Sequence, residues 1–178
     1  IAAYGIADKL SDAIYIISLS FKTMTTVTVG QFIGSGKSNE IKKVMKEGIK
    51  LSIIPSLLVL ITVTIFPRQF CKIFISSDEV IEKAIKYIMI IGLPYVMSPI
   101  KKVIQGFIAG TGHTNILFMS ICISNIVEVS TILILRQTII PNLIALGIGA
   151  ALWLIVDMLI VTIYYFSNRW KNGLKDIS

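Results

Sequence analysis

Five stretches of about twenty mostly apolar residues follow one another along the chain, at 13–34, 48–66, 87–110, 115–135 and 143–166. A hydrocarbon layer about 30 Å thick is crossed by roughly 20 residues of helix, and inside it the backbone must satisfy its own hydrogen bonds. Five runs of that length point to an all-α, polytopic transmembrane helix bundle. Composition agrees: 54% of the 178 residues are hydrophobic and 15% are charged, against about 25% charged in an ordinary soluble domain. Mean hydropathy is +0.81. A water-soluble body of this size has too much surface to hide so many apolar side chains.

The linkers carry their own signals. Residues 34–50, "GSGKSNEIKKVMKEGIK", open on a glycine-rich break. They continue as a lysine-rich stretch with Ile41, Val44 and Met45 on one face, expected as a short helix lying in the interface. Ser76 and Glu79 stand at capping-box spacing, so a helix is expected to start there and run into the third span. "GTGHT" at 110–114 and "RQTIIPN" at 136–142, with Pro141 ahead of the fifth span, read as tight reversals. Within 87–110, Gly92, Pro94 and Pro99 are expected to break the helix, and broken helices in transporters line binding sites or act as hinges. Gly106 and Gly110 form a G-x-x-x-G that favours close helix packing.

The net charge of +7 lies mostly in clusters. In a membrane protein such clusters mark loops facing anionic lipid, not a nucleic-acid surface. With the loop 35–47, the turn 110–114 and the tail 167–178 placed in the cytoplasm, and Lys50 just past the loop counted with it, eight Lys and Arg residues lie inside and six outside. The positive-inside rule favours that orientation. Tyr164, Tyr165 and Trp170 beside Arg169 are expected to form an aromatic belt at the last membrane exit. Cys71 and Cys122 match no metal spacing and are expected as unpaired thiols, and no cofactor motif stands out. The chain opens without an initiator Met or a basic leader, which suggests a piece of something longer.

"VTVGQFIGSGKSNE", residues 27–40, ends like a phosphate-binding loop. Such a loop needs four residues between its glycines, because a fixed number of backbone N–H groups wraps the phosphates. Here five separate Gly30 from Gly36, and Gln31 stands where the first glycine belongs. The preceding run reads as a membrane span rather than a strand, so no nucleotide site is expected.

Ionisable groups inside spans are costly unless they meet a partner or water. Lys22, Lys101, Lys102, Glu128 and Asp157 fall there. Lys101 and Lys102 lie roughly 12–14 Å in from Gly110 at about 1.5 Å per residue. Neighbours on a helix point about 100° apart, so one of the two can face the interior while the other snorkels. Asp157 or Glu128 is expected to pair with a lysine across the bundle, and a proton or a cationic substrate would compete for that carboxylate. A purely structural ion pair is the alternative. His113 is expected to be solvated in its turn, without a metal partner.

Four stretches, in order, resemble the multidrug and toxic compound extrusion (MATE) transporters. "AAYGIADKLSDAIY" with "TVGQFIGSGKSNEIKKVMKEG" is similar to their eighth span and following loop. "CKIFISSDEVIEKAIKYIMIIGLPY", "QGFIAGTGHT" and "GIGAALWLIVDMLI" resemble their later spans. The resemblance implies spans eight to twelve of a twelve-span, two-lobe protein, the N-terminal lobe lying outside this chain. It implies a transporter rather than an enzyme, located in the cell membrane. Such transporters export cationic or amphipathic compounds by alternating access, coupled to H⁺ or Na⁺. Some members hold the cation with an acid in the tenth span; alignment on Gly106 and Gly110 places Ser98 there, which carries no charge. A flippase for lipid-linked oligosaccharides, for which Lys22, Lys101 and Lys102 would serve, and a non-transporting membrane subunit are the alternatives.

Overall fold

The computed structural model describes the backbone at residues 2–74, 77–137 and 142–174. Its α-helices are α1 (Ala2–Gly34), α2 (Ile41–Thr64), α3 (Pro67–Phe74), α4 (Asp78–Val96), α5 (Ser98–Gly110), α6 (Thr114–Arg136) and α7 (Asn142–Phe166). Short 3₁₀ segments occupy Ser38–Glu40 and Arg169–Leu174.

α5 is the central post of this bundle. Ser98, Pro99, Lys101 and every residue from Val103 to Ile108 are buried, and α1, α2, α6 and α7 all pack against it. Its glycines explain how closely α1 approaches. A Cβ on Gly106 would stand 2.5 Å from the Lys22 carbonyl oxygen, and one on Gly110 would stand 2.7 Å from Val29 Cβ. Thr26 Oγ1 lies 2.8 Å from the Lys22 carbonyl and 3.2 Å from that of Gly106, a second tie between the two helices. The G-x-x-x-G is therefore a packing seam.

α6 is built inside out relative to a helix of a soluble protein. Its buried residues are Leu117, Ser120 and Ser124, whereas Phe118, Met119, Ile126, Val129 and Leu133 are exposed. Hydrocarbon outside and polar contacts inside give that pattern. Among the described residues, two helices taken singly are long and apolar enough to cross a membrane, Thr114–Arg136 and Ile144–Phe166. The third expected span is divided between α4 and α5.

That division falls at Met97, between Pro94 in the last turn of α4 and Pro99 in the first turn of α5. Pro99 has no N–H to continue the ladder. The chain closes instead through Met97 N–H to the Pro94 carbonyl, 3.1 Å, and Lys101 N–H to the Met97 carbonyl, 2.9 Å. Gly92 remains inside α4 and buried, so the break belongs to the prolines.

Three further expectations are corrected. No separate interfacial helix forms within 34–50; α2 starts at Ile41 and runs on to Thr64. Ile41 and Met45 pack into the same core as Val29, Val103 and Phe107. Trp170 is 2% exposed rather than in a lipid-facing belt: its ring meets Phe107 edge-on at 4.9 Å and its Nε1 donates to the Tyr165 carbonyl at 3.0 Å. Asn168, at φ 55°, makes the turn that folds it back. His113 is half-buried, its Nδ1 3.0 Å from the Thr111 carbonyl oxygen. Cys71 is buried, Cys122 is half-buried, and both are free thiols. Ser76 of the expected cap, and residues 138–141 of the last reversal, lie outside the described residues; α4 itself starts at Asp78.

The basic turn, the 110–114 turn and the C-terminal segment meet at one end of the bundle. Ser38, Asn39 and Lys42 line one cavity with Trp170 and Lys171, and the His113 ring lies 5.9 Å from that of Tyr164.

The seam gives a direct test. Gly106→Ala should lower stability by about 1–3 kcal/mol through overpacking, whereas Gly30→Ala, where an added Cβ meets nothing within 4 Å, should be neutral or slightly stabilising. Thermal unfolding in detergent, followed by size-exclusion chromatography, separates the two outcomes.

Candidate functional site

Asp157 sits in the most apolar helix of the chain and is 1% exposed. A carboxylate there must be compensated, and the structure shows how. Lys101 Nζ donates to Oδ2 at 2.7 Å, and Gln105 Nε2 donates to the same oxygen at 2.9 Å. Ser120 Oγ is 2.8 Å from Oδ1 and 3.0 Å from the Leu117 carbonyl, with one proton to give. The carboxylate is the stronger acceptor. The network thus joins α5, α6 and α7.

The other side of the ammonium is covered by an aromatic ring. Lys101 Nζ lies 4.4 Å from the centroid of Trp153, a distance at which the ring's quadrupole attracts a cation. Trp153 Nε1 in turn donates to Asn125 Oδ1 at 2.8 Å, which fixes the indole. Trp153 and Asp157 are one helical turn apart on α7, and Lys101 and Gln105 are one turn apart on α5. Both pairs therefore face each other across a single contact.

Beside this pair opens a cavity of about 180 Å³, lined by Asp12, Tyr15, Tyr95, Ser98, Lys101, Lys102, Trp153 and Leu154. Asp12 and Tyr15 are 22 and 19 residues before Gly34 on α1, so the cavity lies in the half of the bundle away from the basic turn. Ser98 is buried at the start of α5, within the cavity wall.

Of the charged residues expected at a site, the structure brings Asp157 and Lys101 into contact and sets Lys102 beside them. Lys102 is half-buried, and its Nζ lies 5.3 Å from the Tyr15 ring centroid. Lys22, also half-buried, is within electrostatic reach of Lys102. Glu128 stands apart: its carbonyl is 3.4 Å from where a Cβ on Gly149 would stand, while Ser120, eight residues earlier, meets Asp157. Two turns, about 12 Å, therefore separate Glu128 from the network. Among the described residues, neither Lys22, Lys102 nor Glu128 forms an ion pair.

Gln105, Ser120, Trp153 and Asn125 were not singled out from the sequence. Two of them carried a legible signal, since Gln105 is four residues after Lys101 and Trp153 is four before Asp157. Ser120 and Asn125 carried none, because their partners are on another helix.

Removing one member of a buried ion pair strands the other, at about 3–5 kcal/mol. Lys101→Met and Asp157→Leu should each destabilise by that order, and the two combined by less than either. A double-mutant cycle on melting temperature measures this; additive losses would refute the coupling.

Residues 1–134 match the model of the MatE family. The chain is 23% identical over 176 residues to the probable multidrug resistance protein NorM of Thermotoga maritima, covering 96% of this chain and 37% of that protein. It is 23% identical over 111 residues to the probable multidrug resistance protein YoeA of Bacillus subtilis, covering 62% of this chain and 24% of that one. A solved inward-facing conformation of a multidrug resistance MATE family transporter of the MOP superfamily matches at TM-score 0.80 and 17% identity, over 99% of this chain and 43% of the other. The chain therefore spans well under half the length of these proteins, with the same helical fold as the solved one. Its membrane-type bundle and the family match over residues 1–134 lead to one assignment: the chain belongs to the MatE family.

Proposed function

We propose that this chain is the C-terminal lobe, spans eight to twelve, of a multidrug efflux transporter that works by alternating access across the bilayer. The single observation that carries the reading is the buried Lys101–Asp157 pair beside an open cavity, in a chain of this family. An N-terminal lobe supplied by the rest of a longer protein would complete the transport path. One lobe cannot rock against an absent partner, so the chain by itself is inactive in this reading.

Coupling to H⁺ or Na⁺ influx would supply the energy. At Asp157 the geometry favours H⁺. The Lys101 ammonium already occupies the position that a metal cation would take, 2.7 Å from Oδ2. A proton on Asp157 would cancel its charge and release Lys101 toward the cavity, changing the field that a substrate meets. The basic turn and the C-terminal segment would face the cytoplasm, as the greater number of inside Lys and Arg residues supports.

Efflux by the full-length protein tests this assignment. Asp157→Asn should lower coupled efflux by about tenfold or more, the range of coupling energies between linked sites. Glu128→Gln, two helical turns from the network, should retain most of it. Wild-type efflux in Asp157→Asn would remove Asp157 from the mechanism.

A further inference from the structure

The family resemblance leads one to expect cationic or amphipathic substrates, and the cavity wall argues against the cationic ones. Three intramembrane lysines converge on this region and one buried carboxylate answers them. That carboxylate is fully engaged, holding Lys101 and Gln105 on Oδ2 and Ser120 on Oδ1. Asp12, the other acid in the lining, is exposed, and among the described residues it forms no ion pair with Lys102.

Aromatic faces are the other feature that could attract a cation. Here the Trp153 ring already carries the Lys101 ammonium at 4.4 Å, and the Tyr15 ring the Lys102 ammonium at 5.3 Å. A second cation at either ring would meet the lysine's charge. Lys102 itself is half-buried in the cavity wall with a ring for company and no counter-ion among the described residues. An ammonium at membrane depth is stabilised by an anion far more than by a ring face alone.

We infer that the cavity takes an amphipathic organic anion, its carboxylate, sulfonate or phosphate head on Lys102 and its apolar body against Tyr15, Tyr95 and Trp153. Lys22 adds positive potential from α1, and Ser98 is a neutral polar neighbour that neither repels nor neutralises the head. The inference rests on the transport reading above and names the substrate class for the same cavity.

The test uses the full-length protein in phosphatidylcholine vesicles, with carboxyfluorescein as the anionic probe and ethidium as the cationic one. Wild type should move carboxyfluorescein. Lys102→Gln should shift the ratio of carboxyfluorescein to ethidium transport about tenfold toward ethidium, and Lys102→Arg should restore it, as expected for loss and recovery of one charge-assisted contact. Adding phosphatidylglycerol separates two sources of the anion: inhibition of carboxyfluorescein transport means that lipid headgroups occupy the same site, and no inhibition means that it selects soluble anions. Ethidium transport without carboxyfluorescein transport overturns the anion inference while leaving the efflux reading intact. An unchanged ratio in Lys102→Gln also overturns it, and points to a counter-ion supplied by the rest of the full-length protein. Transport of neither probe by correctly folded protein overturns the efflux reading and the inference with it.

Discussion

One buried ion pair sets the terms for the rest of this bundle. Lys101 and Asp157 are 56 residues apart in sequence and 2.7 Å apart in space, with side chains 2% and 1% exposed. Stripping water from two charges is expensive, and their attraction repays it only with good geometry and additional hydrogen bonds. Gln105, Ser120 and the face of Trp153 supply those contacts. Because the donors come from α5 and α6 and the acceptor from α7, the pair also fixes three helices in register. An apolar core could hold the helices equally well.

The helix break places this pair. Pro94 and Pro99 stop the ladder around Met97, and α5 starts again at Ser98. Lys101 and Lys102 follow within the first turns of the new helix, one buried in the bundle and one in the cavity wall. The seam at Gly106 and Gly110 then brings α1 in against α5. It sets Tyr15 above Lys102. Break, seam and ion pair are thus consecutive features of one short helix, within the thirteen residues of α5.

A second constraint comes from the solvent on the outside. Ile54, Leu58, Ile126, Ile163 and Phe166 are among the large apolar residues left exposed, while Ser18, Thr25, Ser52, Ser56, Ser120 and Ser124 are buried. Small hydroxyls let backbones approach and bond locally, as Ser56 Oγ does to the Ser52 carbonyl at 2.8 Å. Such a pattern is unfavourable in water and suited to hydrocarbon.

The long apolar runs, the proline break and the demand that a carboxylate at position 157 find a partner were all legible in the linear chain, because each follows from local physics: helix length against bilayer thickness, a missing N–H, the cost of an isolated charge. The same local reasoning misled at Trp170, whose place beside Arg169 looked interfacial, and at 41–47, whose apolar stripe looked lipid-facing. Both bury against α5, a contact that no neighbouring residue encodes. Which lysine answers Asp157 was likewise open, since Lys22, Lys101 and Lys102 are chemically equal and only the 100° between successive residues on α5 separates the last two. Sequence determined that charge would be compensated in the bundle. Tertiary structure chose Lys101 for it and left Lys102 at the cavity, because membrane depth follows from the local apolar run whereas partnership is a long-range property.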